Sequence, residues 1–127
     1  MKSSDLNKFL SGTISAEEFK ASIQDESSVY KKLMEIKGST IPLKFLEDEE
    51  IILSNSDINM LVQEALAGNL STEQLSYICD CLTLGEDVSL ENQLVEDIIH
   101  EFADPEINGG FKSKTELLKI ADRIKVK

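Results

Sequence analysis

Apolar residues recur along this chain three and four positions apart, and the runs are separated by glycines and by serines suited to capping helices. Leu6, Phe9 and Leu10 predict a short first helix behind a Ser3 or Ser4 cap, stopped at Gly12. Ser15 starts a second, with Phe19 and Ile23 turned inward. Asp25-Glu26-Ser27-Ser28 reads as a corner or kink, after which Val29, Tyr30, Leu33, Met34 and Ile36 form an apolar stripe ending at Gly38. Further on, a cap at Ser54 or Ser56 precedes Ile58, Leu61, Val62, Ala65 and Leu66. Leu75, Ile78, Cys79 and Leu82 make the next stripe, up to Gly85. Ser89 then precedes Leu90, Leu94, Ile98 and Phe102 at steps of four, with Val95 and Ile99 beside them. Residues 103–110 form a turn-rich loop with Asp-Pro and Asn-Gly signals. Ser113 opens a last helix, with Glu116 in the box position and Leu117, Leu118, Ile120, Ala121 and Ile124 packing.

One local unit occurs twice. In Leu66-Ala67-Gly68-Asn69-Leu70-Ser71-Thr72-Glu73-Gln74-Leu75, Gly68 can take the left-handed conformation that closes a helix. Ser71 and Gln74 have capping-box spacing, and Leu70 with Leu75 has the spacing of a hydrophobic staple. The same grammar stands 56 residues earlier as Gly12, Ser15 with Glu18, and Ile14 with Phe19. Two copies do not make a solenoid, but they predict helical hairpins with tight corners.

The stretch Ser39-Thr40-Ile41-Pro42-Leu43-Lys44-Phe45-Leu46 breaks the helical pattern, because Pro42 cannot continue a helix. Glu47-Asp48-Glu49-Glu50 follows as an acidic bend, and Ile51-Ile52-Leu53 reads as a return strand. The fold class expected is therefore all-α: a single domain over 1–127, a bundle of six to seven short helices built from capped hairpins. A small β-hairpin over 41–53, or alternatively one helix over 43–53, completes it.

Composition changes the picture in one respect. The chain of 127 residues carries a net charge of −11, very unevenly distributed. Residues 1–44 hold seven Lys and six acids, and residues 112–127 hold six Lys or Arg and two acids. Residues 45–111 hold sixteen acids and neither Lys nor Arg. Such a stretch cannot neutralise its own field; it repels nucleic acid and anionic membranes and draws in a basic partner. The longest apolar runs are too short to span a bilayer, and Met1-Lys2-Ser3-Ser4-Asp5 leads into no apolar signal core. A cytoplasmic protein is expected.

The residue types that carry chemistry are sparse. Cys79 and Cys81, two apart on a helix, diverge and read as buried free thiols. His100 is the only histidine, with Glu96, Asp97 and Asp104 three or four residues away. His100-Glu101-Phe102-Ala103-Asp104 places Asp where a zinc-protease helix has its second His, so a solvated acidic face is the simpler reading. Neither an EF-hand loop nor a glycine-rich phosphate loop is present, and no nucleophile, base and orienting group stand together. No cofactor or metal is expected. The basic C-terminal helix with Lys112 and Lys114 lacks interleaved aromatics beyond Phe111, which disfavours nucleic-acid binding.

The stretch Leu6-Asn7-Lys8-Phe9-Leu10-Ser11-Gly12-Thr13-Ile14-Ser15-Ala16-Glu17-Glu18-Phe19 resembles the opening of the colicin D type immunity proteins. The helix over 75–82, the turn at Glu86-Asp87 and Asp104-Pro105-Glu106-Ile107-Asn108-Gly109 are similar to immunity proteins of contact-dependent growth inhibition. The resemblance implies a small, non-catalytic cytoplasmic monomer that binds one toxin domain, commonly a nuclease with a basic cleft. An acidic inhibitor suits such a cleft, because carboxylates mimic phosphates and form charge-assisted bonds with Arg and Lys.

The expected partner-binding face is drawn from Glu47, Asp48, Glu49, Glu50, Glu86, Asp87, Glu91, Asp97, Glu101 and Asp104. Within it the last helix-and-loop group is favoured, since helix-borne carboxylates are better preorganised. The competing readings are an acidic helical adaptor for a basic protein and a metal-binding protein around His100.

Overall fold

A computed structural model describes residues 1–36, 43–103, 105 and 110–125. Within them lie six helices: α1 (Ser3–Leu10), α2 (Ala16–Met34), α3 (Asn55–Leu66), α4 (Thr72–Leu84), α5 (Gln93–Phe102) and α6 (Lys114–Lys125). Two three-residue strands, β1 (Ile51–Leu53) and β2 (Val88–Leu90), complete the described elements.

The centre of the molecule is α4. Eight of its thirteen residues are buried, Leu75, Tyr77, Ile78, Cys79, Cys81 and Leu82 among them. A helix apolar on several sides needs neighbours on several sides. Here α2, α3 and α5 pack around it, α1 packs on α2, and α6 closes over α3. Leu6, Phe9, Phe19, Ile23, Ile58, Leu61, Val62, Val95, Ile98, Ile99, Phe102, Leu117 and Ile120 enter the same core. The rings of Phe9 and Phe19 stack at 4.7 Å across the first corner.

Both predicted corners form, and with identical bonding. After α1, Thr13 N–H donates to the Lys8 carbonyl and Gly12 N–H to that of Phe9. After α3, Asn69 donates to Glu64 and Gly68 to Ala65. This is the six-to-one and five-to-two pairing of a Schellman motif, and it requires a left-handed residue at its penultimate position. Gly12 and Gly68 supply it at φ 80° and 83°. Ser15 with Glu18 and Ser71 with Gln74 then form reciprocal capping boxes, as do Ser54 with Asp57 and Ser113 with Glu116.

Four expectations need correction. No hairpin or helix spans the described part of 41–53; residues 41 and 42 lie outside it. Leu46 pairs instead with the chain start, taking the Ser3 N–H on its carbonyl and donating its own N–H to Met1. Ile51–Leu53 pairs in parallel with Val88–Leu90, so its partner lies beyond α3 and α4. A parallel pair needs a long crossover, which these two helices provide.

The second correction concerns α2, which runs unbroken through Asp25-Glu26-Ser27-Ser28. Two tyrosine–carboxylate bonds lock that segment to α4. Tyr77 of α4 donates to Glu26 of α2, while Tyr30 of α2 donates to Asp80 of α4. The two rings meet edge to face at 5.3 Å. Burial of such hydroxyls demands partners, and each helix supplies the other's. Val29 and Ile36, and Leu118 on α6, all expected inward, are exposed.

The third correction moves the start of α5. Ser89 sits in β2, and Asn92 is the cap, its Oδ1 accepting from Val95 N–H. The fourth concerns α1, whose N-cap position is Lys2 and which has no side-chain cap from within.

Candidate functional site

The uncapped end of α1 leads directly to the acidic segment. Asp48 Oδ1 accepts from the Ser4 backbone N–H at 2.9 Å and from Ser3 Oγ at 2.9 Å, and Oδ2 accepts from Ser4 Oγ at 2.6 Å. A carboxylate from a distant segment thus caps the helix, where negative charge opposes the helix dipole. The bonds from Ser4, side chain first and backbone second, hold the Asp48 carboxyl down at about 2. Ser3 Oγ also accepts the Glu49 N–H, and Asn7 Nδ2 donates to Glu49 Oε1 and to the Glu50 carbonyl.

Glu47 reaches the other way. Its carboxylate accepts from the backbone amides of Asp87 at 2.8 Å and Glu86 at 3.2 Å. This bond clamps the turn before β2 against the segment before β1. Gly85 makes room for it: a Cβ there would stand 2.5 Å from Val88 Cγ2, 2.8 Å from Glu47 Oε1 and 2.9 Å from Phe45 Cε2. The predicted residues Glu47, Asp48, Glu49, Glu50, Glu86 and Asp87 therefore converge where the two strands begin. None of the six is ion-paired among the described residues.

The other predicted residues lie outside this group, Glu91 at the far end of β2. Glu91 follows β2, where its Oε2 accepts from the Asn55 N–H, at the start of α3, at 2.6 Å. Asp97 is exposed on α5 and accepts from Gln93 at 2.8 Å. Glu101 is ion-paired with Arg123 of α6 at 2.6 Å. Asp104 lies outside the described residues. The structure thus joins the acidic bend to the Glu86-Asp87 turn, two of the groups expected on one face. The favoured helix-borne group instead contains a carboxylate already matched by Arg123.

Cys79 and Cys81 are buried and unpaired with each other. Burial raises both thiols, Cys81 to about 12 and Cys79 well above its usual range. Burial, and then the bond to Glu26, likewise raises Tyr77. His100 is exposed on α5, and among the described residues no three His, Cys, Asp or Glu side chains come together as a metal ion would require. No helix among them is long and apolar enough to cross a membrane. An open groove of 590 Å³ runs between α1, α2 and residues 43–46, lined by Asp5, Asp25 and Glu26 and by Lys2 and Lys44. A second, of 360 Å³, lies between α5 and α6 and mixes Lys112, Lys119 and Arg123 with Glu101 and Glu116.

No family model matches this chain, and neither a curated protein nor a solved structure does.

Proposed function

We propose that this chain is an immunity-type inhibitor, a non-catalytic protein that captures a basic toxin domain, a nuclease, through its acidic side. The observation that carries the reading is the 67-residue run 45–111 with sixteen acids and no Lys or Arg. Its carboxylates at the strand ends gather on one part of the surface, and internal hydrogen bonds fix several of them without cancelling their charge. Preorganised carboxylates of this kind suit a cleft built for a phosphate backbone, where Arg and Lys already point at an anion. Fast capture follows from steering, which a toxin inhibitor needs because a few free toxin molecules are harmful.

The direct test takes the domain encoded in the adjacent reading frame and measures its nuclease activity with and without this protein. Loss of activity at an equimolar ratio is expected. Undiminished activity with excess protein present would refute the reading.

A further inference from the structure

The two-stranded sheet has one face in the core and one in solvent. Along a strand successive side chains alternate between faces. Ile51 and Leu53 are fully buried, and Ile52 between them is 65% exposed. Ile52 stands opposite Ser89 in the register. The same alternation puts Glu50 on Ile52's face, together with Asp87, Ser89 and Glu91 from the neighbouring strand, and all four are exposed. The ladder continues past both ends of β2, since Ile51 N–H donates to the Asp87 carbonyl and Glu91 N–H to that of Leu53. Ser89 is then about 5 Å across from Ile52, Glu50 is about 7 Å along the strand, and Asp87 and Glu91 flank Ser89 at the same spacing.

Parallel sheets are normally covered on both faces. This one carries on its open face a large apolar side chain, with a small serine and three exposed acidic residues beside it on the same face. A single exposed apolar residue needs no explanation. One on a hydrogen-bonded strand, with like charges beside it, has the layout of an interface hot spot: an apolar anchor with a charged rim. Part of the rim is held in place. Asn55 N–H holds the Glu91 carboxylate, and Glu47 holds the Asp87 backbone.

From this juxtaposition we infer that the open face of the sheet is the docking centre for the basic partner. Ile52 enters an apolar pocket on that partner, and Glu50, Asp87 and Glu91 pair with Lys or Arg side chains around the pocket. Charge complementarity selects this occupant: neither Lys nor Arg lies between residues 45 and 111, so the rim repels a second copy of the same segment. The inference rests on the functional reading above and narrows it to one face and one anchor.

The test measures binding kinetics to the adjacent-frame domain, purified in a catalytically inactive form. Ile52→Ser is expected to weaken binding about 30-fold, mainly through faster dissociation, as for a hot-spot residue. Its melting curve should match wild type, and Ile52→Leu should restore tight binding. Glu50→Gln with Asp87→Asn should slow association at low salt. Amide shift mapping on the unaltered protein should centre on Ile52 and Ser89, which keeps the test valid should Ile52→Ser fold poorly. Tight wild-type binding that Ile52→Ser leaves unchanged, with shifts centred elsewhere, overturns this inference and leaves the functional reading standing. No binding by the wild type overturns that reading and this face with it.

Discussion

Two groups of carboxylates in this molecule are handled in opposite ways. Between α5 and α6, Glu101 meets Arg123 at 2.6 Å, and Lys112 and Lys119 share the same groove. The field there closes on itself. At the strand ends, Glu47 and Asp48 accept from backbone amides and serine hydroxyls, and no ion pair among the described residues involves them. Neutral donors fix a carboxylate in place without removing its charge. The first arrangement is self-contained. The second leaves ordered carboxylates that no ion pair among the described residues matches.

Breaking the scaffold of the second group should have the largest effect. Gly85→Ala forces a methyl group between Val88, Phe45 and the Glu47 carboxylate, and should destabilise the protein by about 1–3 kcal/mol in denaturant melts. Glu47→Ala removes the acceptor for two amides and should cost about 1–2 kcal/mol in the same measurement, since bonds to charged groups exceed neutral ones. Loss through Glu47 that matched loss through Arg123 would erase the contrast.

Titration sharpens the comparison further. Asp48 titrates at about 2, below its ordinary 3.8, because the folded protein bonds its ionised form. The lower folded value means that its stabilisation is present above pH 3.8 and disappears as pH falls through about 2. Ser4→Ala removes the largest cause, so the Asp48 carboxyl followed by carbon-detected NMR should titrate closer to 3.8. The smallest effect belongs to the exposed pair. Arg123→Ala should change stability by less than about 1 kcal/mol, and even less at high salt.

What the sequence made legible divides along the same physical line. The corners were readable because a Schellman turn and a capping box involve residues within six positions of each other, and Gly12, Ser15, Gly68 and Ser71 carry that grammar outright. The pairing of Ile51–Leu53 with Val88–Leu90 was not, since three-residue strands carry almost no periodicity and two helices intervene. Asp25-Glu26-Ser27-Ser28 looked like a corner because its polarity signalled solvent. Glu26 instead faces Tyr77, and Ser27 is buried with its hydroxyl bonded to the Gln24 carbonyl. Ser89 looked like a helix cap for a similar reason, while the alternation Val88-Ser89-Leu90 fitted a strand equally well. The acidic residues themselves were visible from the start. The bonds that assemble them were not, because those of Glu47 and Asp48 cross 39 or more positions of chain.

Association kinetics provide the most direct test of the central claim, that this ordered anionic surface exists to meet a cationic protein. The rate constant for binding the adjacent-frame domain should be measured from roughly 0.01 to 1 M ionic strength, over which the Debye length shrinks from about 30 to 3 Å. A fall of more than about tenfold is expected across that range, with dissociation changing far less. An association rate indifferent to salt would contradict it.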